Sequence, residues 1–179
     1  MSALALGLTL WLGAPLPADA NSAREHLARG EYADALRALE DEPDALVSAQ
    51  LRGAILGEGR DFQGALAAVR AARERFPDDV ELAWREANLL LWLQAGEPAL
   101  RAVDETESAL ERSAWSAAQR QPWLDSTALY RERASQLAER SAGLARAERR
   151  SRLTALGLLG VALGVLGVLA RAPRRSTAD

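Results

Sequence analysis

Few residues of this chain are of types that do chemistry. Its 179 residues include one histidine, His26, and no cysteine. Without cysteine the chain has no disulfide, no thiolate metal site and no cysteine nucleophile. No second metal ligand or catalytic partner lies at a suitable spacing around His26, so a surface or packing histidine is the simplest interpretation. The sequence therefore predicts that the chain is not an enzyme and uses no cofactor and no metal.

Two clusters of carboxylates lie beside prolines, at positions 41, 42 and 44 and at positions 78, 79 and 81. Such groups could bind a cation. Each cluster, however, coincides with the expected start of a helix, where the helix dipole favours negative charge. Helix capping explains both clusters more simply than a metal site.

Composition and charge favour a helical body that does not bind nucleic acid. Ala, Leu, Arg and Glu dominate, aromatic residues make up 5% of the chain, and the formal net charge is -3. Such a mixture favours helix over strand. A nucleic-acid ligand would need a basic patch, and the body carries no basic block. We expect one all-α domain.

The first twenty residues are typical of a secretory signal peptide. The apolar run at positions 3–12 is followed by Ala18-Asp19-Ala20, a small-x-small cleavage pattern. No arginine or lysine precedes Arg24, so an uncleaved membrane helix and a flexible leader remain as alternatives. We predict a signal peptide over residues 1–20 and a mature chain that begins at Asn21.

Residues 153–170 form an uncharged apolar stretch with arginines on both sides. A helix of this length would span about 27 Å, close to the thickness of a bilayer's hydrocarbon core. The stretch predicts one C-terminal transmembrane helix, with a buried core helix as the alternative. Together with an exported N-terminus, it predicts a single-pass protein of the bacterial inner membrane, with a periplasmic body and a short cytoplasmic tail at residues 171–179.

Four glycines share one face of that predicted span: Gly157, Gly160, Gly164 and Gly167. Small residues on one face let a second membrane helix approach closely, and the pair Gly160 and Gly164 has the GxxxG spacing. The stripe indicates either packing against a transmembrane partner or self-association. The alternative is that glycine and alanine are simply common in membrane helices.

The central part of the chain repeats itself. The order acid, aromatic, x, x, Ala, Leu, x, x, aliphatic occurs at residues 31–39 and again at residues 61–69. A further shift of 34 residues carries Ala65 to Ala99. Periods between about 20 and 50 residues are typical of stacked repeat architectures.

These residues resemble the tetratricopeptide repeat family, in which each unit is a pair of antiparallel helices. The second unit matches best, with Gly53 on the first helix, Phe62 at the turn, Ala65 on the second helix and Pro77 as the closing proline. The resemblance covers residues 21–113. It implies a short solenoid of helical hairpins.

The first and third units depart from the family pattern. Pro43 follows Ala35 by eight residues, whereas Pro77 follows Ala65 by twelve, so the second helix of the first unit should be about one turn shorter. In the third unit residues 96–98 replace the acid-aromatic turn, and their proline suits a first helical turn.

Residues 114–152 should form a capping and stalk helix. Pro122 interrupts the segment, and Asp125 or Ser126 could cap a new helix whose small and apolar residues recur at helical spacing from Tyr130 to Ala145. We expect the start of this helix to cover the last repeat and its remainder to lead into the predicted span.

The resemblance also implies a ligand-binding groove, because the first helices of stacked pairs line a concave surface. The lining positions are Val47, Gln50, Ala54, Gly57, Glu81, Trp84, Asn88, Leu91 and Trp92. Asn88 falls where the family often has an asparagine that grips a peptide backbone. Trp84 and Trp92 lie eight residues apart on one helical face, and burial in the core is the alternative for both.

The sequence therefore predicts a membrane-tethered extracytoplasmic adaptor or scaffold of a bacterial envelope complex, which captures a protein or peptide in its groove. One alternative is a structural or regulatory subunit that is recognised mainly through its transmembrane helix. Another is a tail-anchored cytoplasmic repeat protein whose leader is never exported.

Overall fold

The computed structural model describes residues 18–40 and 45–171, with side chains up to position 154 and at position 156. The helices, in chain order, are α1 (Ala18–Ala28), α2 (Tyr32–Arg37), α3 (Leu46–Glu58), α4 (Phe62–Arg75), α5 (Val80–Trp92), α6 (Gly96–Arg112) and α7 (Ala117–Arg171). The expected all-α fold is confirmed over these residues. A first compact unit ends at Ala138, and a second begins at Glu139 with the rest of α7.

Helices α1 to α6 form three hairpins whose turns share one geometry. Two residues after the end of each first helix lies a residue with a left-handed backbone, with φ of 74° at Gly30, 63° at Arg60 and 59° at Gln94. The amide of the next residue donates to a carbonyl five positions earlier at 2.9 Å in all three turns. This 6→1 bond satisfies a carbonyl that the helix end would otherwise leave unpaired. The recurring turn confirms the shifts of 30 and 34 residues that the sequence indicated.

Small residues lie where helices approach most closely. Equivalent alanines of the three second helices, Ala35, Ala65 and Ala99, are all completely buried. A Cβ at Gly53 would lie 2.6 Å from Val69 Cγ2, closer than any side chain tolerates. The predicted packing roles of Gly53 and Ala65 are therefore confirmed. The short second helix of the first hairpin is confirmed as well, since α2 has 6 residues and α4 has 14.

Helix α7 begins earlier than the sequence analysis predicted, at Ala117 instead of Asp125 or Ser126. Gln119 Oε1 accepts from the Ser116 amide at 2.9 Å, and the Ser116 hydroxyl lies 3.4 Å from the Gln119 amide. This reciprocal pairing is a capping box, which starts a helix. Pro122 lies inside the helix near its beginning, where it removes one backbone hydrogen bond without ending the helix.

The first part of α7 completes the core over α5 and α6, as expected for a capping helix. Its contribution consists of Trp123, Tyr130 and Ala134. Arg131 binds two carboxylates of α6, Asp104 at 2.7 Å and Glu107 at 2.9 Å. The capping helix is thus held by an apolar face and by a pair of surface salt bridges.

The predicted localisation at the bacterial inner membrane is wrong. Over the part of the chain that the structure describes, no helix combines the length and the apolar character needed to cross a membrane. The surroundings of Gly157, Gly160, Gly164 and Gly167, and with them the predicted packing stripe, lie outside what the structure describes.

Most of the predicted signal peptide also lies outside the described residues, as does most of the predicted tail. Residues 18–20, which carry the predicted cleavage pattern, form the start of α1. Ala20 is buried there and packs with Ala23, Ala35 and Leu39.

A pair of glycine substitutions tests the contact between α6 and α7. A Cβ at Gly96 would overlap the backbone nitrogen of Ala138 and lie 2.7 Å from the Leu137 carbonyl carbon, so Gly96→Ala should lower the free energy of unfolding by about 2 kcal/mol or more. Gly143 has nothing within 4 Å of its Cβ position, so Gly143→Ala should stabilise by about 0.5–1 kcal/mol through helix propensity. Urea denaturation would measure both, and equal effects would show that the backbones do not touch at Gly96.

The left-handed turns give a second prediction. Arg60→Gly should raise the free energy of unfolding by about 1 kcal/mol, because glycine adopts a positive φ without steric cost. Gly30→Ala should lower it by a similar amount. Thermal unfolding of the two variants would show opposite shifts in Tm, and a loss of stability in Arg60→Gly would contradict the turn geometry.

Candidate ligand-binding groove

An open cleft lies between α3 and α5, the first helices of the second and third hairpins. The cavity in it is small, about 10 Å³, or room for about one water molecule, and its lining residues are Gly53, Ala54, Gly57, Phe62, Arg85, Asn88, Leu89 and Trp92. Three small residues of α3 form one side of the cleft. Val69 and Arg85 fill the space beside Gly53, whereas Gly57 leaves room for a small group, because the nearest atom to its Cβ position is Leu89 Cδ2 at 3.8 Å.

One wall of this cleft is an aromatic pair. The rings of Phe62 and Trp92 stack with centroids 5.5 Å apart and planes within 3° of parallel. Trp92 keeps 48% of its surface exposed, and the Arg133 guanidinium lies 5.9 Å from its ring centroid. A tryptophan held in place by stacking and still exposed is the kind of residue that anchors a binding partner.

The same cleft contains polar side chains with unused hydrogen-bonding groups. Arg85 and Asn88 are each only 7% exposed. Arg85 donates from Nη2 to Glu81 Oε1 at 2.6 Å, but its buried Nε has no partner within the described part of the chain. The Asn88 amide likewise has no hydrogen bond to a described residue. A buried donor without a partner, such as the Arg85 Nε, costs about 1–3 kcal/mol, which a complementary acceptor on a ligand would recover.

The structure brings four of the predicted groove residues together in this cleft, namely Ala54, Gly57, Asn88 and Trp92. Gln50 lies elsewhere, where its amide donates to both carboxylate oxygens of Asp79 at 3.1 Å. Asp79 also accepts from the Leu82 amide at 2.8 Å and so caps α5. Val47 is half-buried and packs against the core cluster of the first hairpin.

Two other predicted groove residues, Trp84 and Leu91, lie in the core. Trp84 is 4% exposed, and its indole Nε1 donates to Ser126 Oγ at 2.9 Å. Its ring meets Trp123 edge-on and stacks on Tyr130, both at 5.5 Å. The core alternative therefore describes the position of Trp84, whereas Trp92, two turns further along the same face, remains half exposed.

A second cleft, with a volume of about 180 Å³, lies between α1 and α3. It is lined by Arg24, Leu27, Ala28, Tyr32 and Glu58. The buried Nε of Arg24 has no hydrogen-bond partner among residues 18–40 and 45–171. The sequence analysis missed this cleft, and it missed Arg85 and Arg133, because the family pattern singles out packing positions and the asparagine but not these charged side chains.

The histidine and the acidic clusters have structural partners. His26, Glu31 and Asp34 offer ligand atoms within 4.8 Å of one another. Arg29 binds Glu31 at 3.0 Å and Arg37 binds Asp34 at 2.5 Å, so guanidinium groups already contact both carboxylates. Hydrogen bonds from His26 and Arg29 lower the pKa of Glu31. The acidic cluster near Pro77 caps α5, and the cluster at positions 41–44 lies outside the described residues.

Solved structures confirm the repeat fold. The complex of the TPR2B domain of yeast Sti1 with pHsp70 is similar to this chain with a TM-score of 0.57 and 19% identity, over 67% of this chain and 98% of that one. The complex of the TPR2AB domain of yeast Sti1 with pHSP90 gives a TM-score of 0.57 and 20% identity, over 67% of this chain and 48% of that one. No protein-family model matches the chain, and no curated protein matches its sequence. The likeness establishes a tetratricopeptide-like fold.

The buried tyrosine under the groove gives a prediction about pH. Burial raises the pKa of Tyr130 from 10.0 to about 12. Below pH 10 the phenol is protonated in both the folded and the unfolded chain, so its contribution to stability is complete. Between pH 10 and 12 the unfolded chain loses this proton first, and the free energy of unfolding should fall by roughly 2 kcal/mol.

Between pH 10 and 12 the free energy of unfolding of Tyr130→Phe should fall less than that of the unmodified chain. Tyr32→Phe, which removes an exposed tyrosine, is the matched control and should keep the full fall. If the free energy of unfolding fell equally with pH in all three proteins, the raised pKa of Tyr130 would be contradicted.

Proposed function

We propose that the chain is a protein-interaction module that captures an extended peptide segment of a partner protein in the cleft between α3 and α5. The observation that carries the proposal is the pair Arg85 and Asn88, two polar residues that line one cleft although each is more than nine-tenths buried, with the buried Arg85 Nε left without a partner among the described residues. The proposal assigns binding to the chain and no catalysis.

The chemistry of the cleft suits a peptide. An asparagine amide can donate to one backbone group of a peptide and accept from another, and the Arg85 Nε can donate to a carbonyl or carboxylate oxygen. The stacked face of Phe62 and Trp92 suits an apolar side chain on the same segment. Both yeast structures with this fold are complexes with pHsp70 or pHSP90, which supports a protein or peptide ligand.

A substitution at Gly57 can test binding without disturbing the fold. A Cβ at Gly57 would meet only Leu89 Cδ2, at 3.8 Å, an ordinary contact distance. Gly57→Ala should therefore stabilise the chain by about 0.5–1 kcal/mol through helix propensity while placing a methyl group in the cleft. Peptides selected from a displayed random library on the full-length protein should bind this variant roughly tenfold more weakly, a loss of about 1.4 kcal/mol.

Isothermal titration calorimetry with the selected peptides would measure the loss. Trp92→Ala should also weaken binding, because it removes the exposed half of the aromatic wall. Leu144→Ala, which removes another exposed apolar side chain outside the cleft, is the control and should bind normally. Unchanged affinity in both Gly57→Ala and Trp92→Ala would place the peptide elsewhere and overturn the proposal.

A further inference from the structure

The two clefts between first helices are copies of one another, one repeat apart. The shift of 30 residues relates the first hairpin to the second, and the shift of 34 relates the second to the third. Under these shifts the matching pairs of lining residues are Arg24 and Ala54, Leu27 and Gly57, Tyr32 and Phe62, and Glu58 and Trp92. An extended ligand that runs along the groove would therefore meet two equivalent pockets in succession.

The matching positions differ sharply in chemistry. Where the cleft between α3 and α5 has Ala54 and Trp92, the cleft between α1 and α3 has Arg24 and Glu58. The buried Arg24 Nε has no partner, and neither side chain forms an ion pair with any residue that the structure describes. At these positions one cleft is thus apolar and aromatic, and the other has a cation and an anion that form no ion pair within the described residues.

A cation and an anion in one pocket select for a neutral polar group. A carboxylate from a ligand would gain from Arg24 but be repelled by Glu58, and an ammonium group would face the reverse. A carboxamide offers an oxygen to the guanidinium and an N–H to the carboxylate, and so pairs with both without introducing charge. The polar cleft therefore fits a glutamine or asparagine side chain.

The spacing of the pockets follows from helix packing. Helices α1 and α3 are in contact, and so are α3 and α5. Axes of packed helices lie about 8–10 Å apart, which sets the distance between equivalent pockets. An extended chain advances about 3.3 Å per residue, so the two pockets lie roughly three residues apart along a ligand.

We infer that the groove recognises an extended peptide that carries a large aromatic side chain and, about three residues away, a carboxamide side chain. This inference rests on the proposed function and adds the class of ligand. The aromatic residue lies on the Phe62 and Trp92 wall, and the carboxamide bridges Arg24 and Glu58.

Labelled synthetic peptides with a serine and glycine background test the inference on the full-length protein. Each peptide carries one tryptophan and, about three residues away in either direction, glutamine, alanine, glutamate or lysine. Fluorescence anisotropy should show that a glutamine peptide binds roughly tenfold more tightly than its alanine counterpart. Glutamate and lysine should both bind more weakly than glutamine.

Charge-swap variants give a readout that misfolding cannot imitate. Glu58→Arg makes the pocket cationic and should change the preferred peptide from glutamine to glutamate. Arginine also suits the C-terminal end of α3, where the helix dipole favours positive charge. Arg24→Glu makes the pocket anionic and should shift the preference to lysine. Circular dichroism on both variants would verify that the helices are intact.

The outcomes separate this inference from the proposed function. If glutamine and alanine peptides bind equally, or if the charge swaps leave the preference unchanged, the carboxamide pocket is disproved. Binding that still depends on Gly57 and Trp92 would in that case leave the proposed function in place. If no tryptophan peptide binds and no library peptide is selected, both are overturned.

Discussion

The close approach of helix backbones at glycine and alanine is the constraint on which the rest of this structure depends. Ala35, Ala65 and Ala99 carry no side chain beyond Cβ, and each is completely buried between helices. Larger residues at these points would hold the two helices of a hairpin apart. At Gly53 the helices approach so closely that even one added carbon would collide with Val69. The array of first helices, and thus the groove, exists because these contacts fix the position of every hairpin relative to the next.

Two glycines one turn apart on α3 have different roles. Gly53 is required by packing, because Val69 and Arg85 occupy the space beside it. Gly57 is not, since the nearest atom to its Cβ position is at ordinary contact distance. A helix interior loses about 0.5–1 kcal/mol when it has glycine in place of alanine. At Gly57 no close contact within the described residues requires glycine and so offsets that cost. The effect of having glycine at this position is to leave the cleft between α3 and α5 unfilled.

The features that recur in each repeat could be predicted from the sequence. The exposure of individual side chains could not, where it depends on one tertiary contact. The alanines, the turn positions and the short α2 follow from spacing alone, because each depends on local periodicity. Trp84 and Trp92 share one helical face and cannot be distinguished by spacing. Their different exposure arises because α7 packs on Trp84 through Ser126, Trp123 and Tyr130 and leaves Trp92 open. The early start of α7 follows from the capping pair Ser116 and Gln119, since a proline near the beginning of a helix, such as Pro122, does not end it.

On each first helix, one position packs against other helices and the next position lines a cleft. Ala23, Gly53 and Ala87 are equivalent residues that face other helices, and all three are buried. The next residue in each helix is Arg24, Ala54 or Asn88, and each lines a cleft. Because neighbours in a helix point about 100° apart, a change at the second position alters the chemistry of the groove without altering the contact made at the first. Repeats that are strict at one position and variable at the next can therefore keep one fold while the chemistry of each cleft differs.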